Sequence, residues 1–305
     1  MTDTSREAMQ TIGFVGMGRI GLPICEHMIK RGYRVLGYRR SESADFERLG
    51  GIRARSPAEI GTHADIIFTC LPTAEALEDV VQGADGLLQS ARPGQIVVEF
   101  GSHAVDVKRR YVAPLSDKGA IFLDGEVSGT PGMVAARKGV IYLAGDQAAA
   151  DKLEPVIQSF ADSCLFLGPF GAATKVKILN NLLVSLHIAG TAQTMAIGLR
   201  AGVDVDLMIR AIAGGSGGSS SFAIRAPWMA QRKFLPSQGS AGLLLHYLDR
   251  ARELAHEVGA RTALLDSLIE IYHSALPMIG ERDVASMIEL FENVASSGQE
   301  PGEKK

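Results

Sequence analysis

The chain is poor in cysteine. Its 305 residues hold three, Cys25, Cys70 and Cys164, an odd number at wide spacing with no CxxC pair. That excludes a disulfide framework and predicts three reduced, mostly buried thiols in a cytoplasmic protein. Charge of one sign is not in excess either. With 31 basic against 34 acidic residues and a net charge of −3, nothing is available to neutralise a phosphate backbone, so nucleic acid is not an expected partner. His27, His63, His187, His256 and His273 are scattered, and no metal-ligand set is expected. The first ten residues carry acids and no apolar stretch, so they do not read as a secretory signal. A single run is long enough to cross a bilayer: 178–199 is 22 residues without a formal charge. It contains Asn180, Asn181, Ser185, His187, Thr191, Gln193 and Thr194, a polar load that argues against a membrane span. The expectation is a helix buried on nearly all sides of a globular protein.

What is present is material for a core, 46% apolar against 21% charged residues, and a length that favours two domains. The first half alternates short apolar runs with amphipathic segments. Strands are expected at 12–16, 34–38, 65–71, 95–100, 120–124 and 140–144, with a last run at 164–167. Segments such as 19–31 and 103–118 carry helical periodicity between them. This alternation predicts a Rossmann-type doubly wound parallel α/β sheet over residues 1–168. After Gly168 helical patterns take over, at about 172–201, 204–213, 240–258, 262–276 and 283–295, so residues 169–305 are expected to form an all-α domain. The turn Gly168–Gly171 marks the boundary, Gly259 is a candidate helix cap, and 213–221, rich in Gly and Ser, reads as a flexible break. Residues 1–10 and 297–305 read as loose ends.

Gly is abundant, 34 residues, and six positions explain part of it. Gly16-Met17-Gly18-Arg19-Ile20-Gly21 follows a strand and opens a helix. In a dinucleotide site the first Gly makes the tight turn. The second lets the backbone approach a pyrophosphate, and the third lets helix pack on strand. The helix start then offers N–H groups and a positive dipole end. At the end of the second strand, where an acidic residue would accept from the 2′-hydroxyl of NAD, the chain has Tyr38-Arg39-Arg40-Ser41. Two guanidiniums and a hydroxyl suit a 2′-phosphate, with no carboxylate beside them, so NADP (NADPH) is expected and NAD remains an alternative.

Two later segments carry more specific information. Asp124-Gly125-Glu126-Val127-Ser128-Gly129-Thr130 closes a strand, and Thr174-Lys175-Val176-Lys177-Ile178-Leu179-Asn180-Asn181 opens the long helix. On a helix Lys177 and Asn181 share a face, whereas Lys175 lies about 200° round. The pair at the mouth of an uncharged segment is poorly explained as a solvated face.

With the opening 13–33 and Cys70-Leu71-Pro72-Thr73 at a strand end, these segments resemble the β-hydroxyacid dehydrogenases. This is the family of 3-hydroxyisobutyrate dehydrogenase, tartronate semialdehyde reductase and the glyoxylate/succinic semialdehyde reductases. The likeness runs in order over nearly the whole chain. It implies that Lys177 is the acid–base lysine and Asn181 its paired asparagine. Ser128, Gly129 and Thr130 then hold a small carboxylate-bearing substrate, together with Lys177 and Asn181. Leu71 and Pro72 contact the cofactor's adenine-ribose side, Ser102 lies beside the nicotinamide, and His246 takes the place of a family lysine that reaches toward the cofactor. The resemblance also implies an NADP-dependent oxidoreductase, Lys177 passing the proton while a hydride moves, its amine depressed by desolvation and by the nicotinamide charge. Glu126 departs from the family's Pro and Thr130 from its Gly; Glu126 reads either as a second carboxylate near the site or as a solvent-facing side chain. An imine-reductase-like enzyme and a non-catalytic NADP-binding sensor are alternatives, the first disfavoured by Lys177. The apolar helical half predicts a homodimer or tetramer.

Overall fold

The computed structural model describes residues 10–41 and 43–292. Its contacts divide the chain into two compact units, one ending at Lys177 and the other beginning at Ile178.

The first unit is built on eight strands: β1 (Thr11–Val15), β2 (Arg34–Tyr38), β3 (Ile52–Arg53), β4 (Ile66–Thr69), β5 (Ile96–Glu99), β6 (Ile121–Ser128), β7 (Val140–Ala144) and β8 (Ser163–Phe166). They lie in one sheet in the order β3-β2-β1-β4-β5-β6-β7-β8. The runs are apolar throughout because both faces are covered. Phe14, Phe68, Val98 and Leu123 pack on one side, and their neighbours Val15, Ile67, Val97 and Phe122 on the other.

The sheet is not wholly parallel as the alternation predicts. β7 runs antiparallel to β6. Only residues 129–139 join them, and they include the helix Pro131–Ala135, which is short for a crossover back to a parallel strand. β6 itself is eight residues long. Ile121–Asp124 pair with β5 and Asp124–Ser128 with β7. The second half of β6 therefore projects past the carboxyl end of β5, the edge where ligands bind in open α/β sheets. Two further differences are local. The segment 103–118 breaks into the helices Val105–Arg109 and Val112–Ser116, and the exposed two-residue β3 is too short to carry a pattern.

The second unit is helical, with its own core around Met195, Phe222, Leu248, Tyr272 and Met287. Four predicted helices are present as Ala172–Arg200, Val205–Gly214, Ala241–Glu257 and Ala263–Ile279, and Gly259 follows the third at φ +68°. The stretch 213–221 is not merely a break. Ser219 accepts a bond from the Phe222 N–H and starts the helix Ser220–Ala230, a Ser N-cap hidden among other serines. The 283–295 pattern resolves into a 3₁₀ turn, Val284–Met287, and the short helix Ile288–Glu292. Its remainder and the two predicted loose ends, except Gln10, lie outside the described residues.

The long helix Ala172–Arg200 is apolar and long enough to cross a membrane. Yet Thr174, Lys177, Asn181, Ser185 and Thr191 on it are buried polar groups, as in the core helix of a globular protein. It is less enclosed than predicted: Leu179, Leu183 and Ile197 are exposed by 52%, 53% and 62%. The thiols differ from expectation too. Cys25 is buried, Cys70 half-buried and Cys164 exposed, because β8 is an edge strand.

Candidate active site

The turn after β1 has the geometry its three glycines predict. Gly16 sits at φ +95°, and a methyl group there would strike the carbonyl of Cys70. On Gly18 a methyl would meet no described atom within 4 Å, which leaves backbone open to a close ligand. On Gly21 it would run into the Gly16 carbonyl and the Phe14 ring. The helix Gly21–Lys30 begins at Ile20 with no capping side chain among the described residues and no acid in its first turn. Leu22 N–H donates to the Gly18 carbonyl at 3.0 Å and Pro23 carries no N–H. Any backbone donors for an anion therefore come from the glycine turn itself and the positive end of the helix, with no side-chain cap such as Ser56, Thr73 and Asp146 give other helices.

Beside this turn lies a cleft of about 1060 Å³ whose lining includes Gly16–Ile20, Arg39, Arg40, Ser41, Leu71 and Pro72. These ten predicted cofactor residues thus share one concavity, and Gly21, packed under the turn, does not line it. The residues present fit a dinucleotide: an open glycine, an uncapped helix start and apolar walls. A second cleft of about 500 Å³ is lined by Tyr38, Arg39, Arg40, Arg53, Ala54 and Arg55. Arg53 and Arg55 escape the sequence reading because β3, which carries Arg53, is too short to see. Arg39 donates to Ser41 Oγ at 3.1 Å and to the Met17 carbonyl at 3.2 Å. It also pairs with Asp45 at 3.4 Å, so the expectation that no carboxylate stands here is corrected. Asp45 comes back because the helix Ala44–Arg48 turns the chain toward β2 directly after it.

The end of β6 gathers the second set. The pleat places Asp124, Glu126 and Ser128 on one face. Asp124 and Glu126 are buried, which overturns the solvent-facing option for Glu126. Lys108, wholly buried, donates to Asp124 Oδ1 at 3.0 Å, Glu126 Oε1 at 3.2 Å and the carbonyls of Gly125 and Glu99 at 3.0 and 3.3 Å. Thr174 donates to Asp124 through both its N–H, at 3.0 Å, and its hydroxyl, at 2.7 Å. This bond pair fastens the start of the long helix to the strand. Ser102 Oγ lies 3.1 Å from Glu126 Oε2.

Lys177 is 7% exposed, and its Nζ donates to the Val127 carbonyl at 2.9 Å. Lys175 is exposed, as helical spacing predicts. Burial pushes the Lys177 amine below the ordinary lysine range, and Glu126 opposes the shift. Burial also raises the Glu126 carboxyl, against the pull of Lys108 and Lys177. For Lys108 burial again disfavours the charge, but Glu126, Asp124 and Glu99 together hold its amine above the usual range.

Gly129 and Thr130 follow β6 directly. Thr130 Oγ1 accepts from the Met133 N–H at 3.3 Å, which leaves its own proton to donate. Asn181, one turn after Lys177, is buried, and the Asn180 amide donates to its Oδ1 at 3.3 Å. His246 belongs to the helical unit, where it meets Arg250 Nε at 2.9 Å. Burial and then the Arg250 charge lower its imidazole below the ordinary range. Sequence reasoning passed over Lys108, Glu99 and Thr174. The signal for Thr174 was its place one turn before Lys177; Lys108 sits in a Lys-Arg-Arg run that reads as solvated. Among the described residues no three His, Cys, Asp or Glu side chains are arranged to hold a metal ion.

Comparison with known proteins covers both halves. The family model for the NAD binding domain of 6-phosphogluconate dehydrogenase matches residues 11–168. That for the NAD-binding of NADP-dependent 3-hydroxyisobutyrate dehydrogenase matches residues 171–291. An L-threonate dehydrogenase of Cupriavidus necator is 31% identical over 230 residues, 74% of this chain and 77% of its own. An NAD-dependent L-serine dehydrogenase of Pseudomonas aeruginosa is 27% identical over 293 residues, 93% of this chain and 98% of its own. The solved 3-hydroxyisobutyrate dehydrogenase of Mycobacterium tuberculosis with L-serine has the same fold, with a TM-score of 0.83 at 23% identity over 94% of this chain and 100% of that one.

Proposed function

The chain belongs to the β-hydroxyacid dehydrogenase family, and on that premise we propose that it interconverts a small β-hydroxyacid and the matching aldehyde or keto acid, with NADP as coenzyme and Lys177 as acid–base group. Its relatives are oxidoreductases acting on CH–OH groups, two of them named for threonate and serine, both small carboxylates bearing a hydroxyl. The observation that carries the reading is a buried amine held by the Val127 carbonyl, directly before Ser128 and the Gly129-Thr130 loop.

When bound, the nicotinamide takes up the hydride in oxidation and gives it back in reduction. The chain's own residues handle the proton and the geometry. Lys177 takes the substrate's hydroxyl proton in one direction and returns it to the carbonyl oxygen in the other. An ordinary lysine is too strongly protonated to act as a base near neutrality; the lowering by burial brings Lys177 closer. The bond to Val127 directs one N–H backward and so aims the amine. Asn181, on the same helix face, orients the substrate oxygen. Ser128 and Thr130 hydroxyls and the Gly129 N–H hold the carboxylate. Gly18 and the glycine turn would hold the pyrophosphate, with Leu71 and Pro72 along the adenine-ribose side, Ser102 toward the nicotinamide, and Arg39, Arg40 and Ser41 at the 2′-phosphate. Arg53, lining the second cleft, adds to the case for NADP.

The sheet-and-helix division near the start of the long helix fits a coenzyme domain at 1–168 and a helical domain at 169–305. The exposed leucines of the long helix fit self-association through that helical part. Reduced thiols, one of them exposed, fit the cytoplasm.

The test is a panel of three- to six-carbon hydroxyacids and aldehyde acids assayed with NADPH and NADH, for the native chain and Lys177→Ala. Turnover on at least one member is expected with NADPH favoured. In Lys177→Ala it falls by about 100-fold or more, while NADPH fluorescence still reports binding. Near-normal turnover without the lysine sinks the acid–base assignment, and a tenfold preference for NADH sinks the role given to the arginines.

A further inference from the structure

Glu126 is the largest chemical departure in the β6 loop, and the proton transfer described above leaves it unused. It stands two residues after Asp124 on the same face of β6. Two buried carboxylates side by side repel strongly unless cations answer them. Lys108 answers both, at 3.0 Å from Asp124 and 3.2 Å from Glu126, but one ammonium carries one charge. The second cation that acts on Glu126 is Lys177. Its amine is fastened to the carbonyl of the next residue along, Val127.

The carboxylate is also fixed in place. Oε1 accepts from Lys108 and lies 3.4 Å from Thr174 Oγ1, and Oε2 accepts from Ser102 Oγ at 3.1 Å. Three chain segments grip it, and one of them is the helix that carries Lys177. We propose that Glu126 is a positioning residue for this reaction: its immobilised carboxylate, on the β6 residue next to the one whose carbonyl holds Lys177, sets the pH at which that amine exchanges its proton. The inference rests on Lys177 as the acid–base group.

The other titratable groups around Glu126 are Asp124 on its own strand, Lys108 from the helix Val105–Arg109, Glu99 at the end of β5 and Cys70 after β4. His103 stands 3.6 Å from Glu99. All of these stay when Glu126 alone is neutralised. Burial favours the neutral amine of Lys177 and Glu126 favours the ammonium. Without the anion, Lys177 therefore loses its proton at lower pH. Oxidation, which needs the neutral amine, then sets in at lower pH. Reduction, which needs the ammonium, fades at lower pH.

Glu126→Gln keeps the size and the acceptor oxygen facing Lys108; Glu126→Met is the second neutral replacement if the amide does not fold. Two quantities are read. One is the pH profile of kcat/KM in both directions. The other is the pH dependence of Lys177 acetylation by acetic anhydride in the chain without coenzyme, followed by peptide mass spectrometry. Both midpoints should fall by about one pH unit or more in the neutral variants. Glu126→Asp, which keeps the charge, should return them toward the native values. Unchanged midpoints beside an inactive Lys177→Ala overturn the role of Glu126 alone, whereas an active Lys177→Ala overturns the acid–base reading on which it rests.

Discussion

A carboxyl group taken out of water holds its proton to higher pH, and Glu99 is the plainest instance in this molecule. It is fully buried at the end of β5. Thr69 Oγ1 and the Gly101 N–H donate to its oxygens, and burial outweighs these bonds and Lys108, raising its carboxyl to about 7. The folded chain therefore binds this proton more tightly than the unfolded one, whose carboxyl titrates near 4.5. The resulting stability is complete below that value and is lost as pH rises through about 7. Glu99→Gln cannot ionise. Its stability relative to the native chain, from urea unfolding, should be on the order of 3 kcal/mol more favourable at pH 8 than at pH 4.5. An equal difference at the two pH values would falsify the assignment. At this scale legibility was uneven. Lys177 could be separated from Lys175 because helical spacing is a local property. Lys108 could not be separated from Arg109 and Arg110, since only its partners, 16 and 18 residues away, distinguish it from a solvated cation.

Among the elements, β6 decides most. Its length carries Glu126 and Ser128 beyond the β5 edge, and the antiparallel β7 holds that projection in register. The strand was visible in sequence as far as Asp124. The rest was masked because Gly125, Glu126 and Ser128 are not apolar strand formers. In the helical unit, the helix Ser220–Ala230 is tied down by Arg225. Arg225 Nη1 meets Asp283 Oδ1 at 2.5 Å, and Asp283 also accepts from the N–H groups of Ala285, Gln238 and Gly239. Asp283→Ala would leave a buried guanidinium and three N–H groups unanswered. A loss of about 3–5 kcal/mol is expected in chemical unfolding of the whole chain. Asp283→Asn, which keeps an acceptor oxygen, should lose less. Equal losses would show that the charge, not the acceptors, does the holding.

On the scale of the whole molecule, two units with separate cores account for the change of texture along the chain. The outward side of the long helix is the feature neither core explains. Leu179 and Ile197 are 18 residues apart, five full turns, and so lie on one line, with Leu183 close beside it. These water-facing apolar side chains fit the self-association proposed above. Sedimentation velocity of the native chain should give a species larger than one chain, and Leu179→Asp with Leu183→Asp should reduce it to the single-chain mass. A native chain that sediments as one copy at every concentration removes the proposal.

By itself the sequence determined the glycine turn, the alternation of strand and helix, the change to an all-helical second half, and the lysine that faces inward. Each follows from neighbouring residues, through backbone sterics or the repeat of a helix or strand. Only the tertiary structure decided that Lys108, Asp124, Glu126, Thr174 and Lys177 form one buried charge cluster and that Asp45 pairs with Arg39. Such groupings arise when the sheet brings distant segments to one edge. There, the withdrawal of water makes the balance of charge a property of the assembled cluster and not of any one stretch of chain.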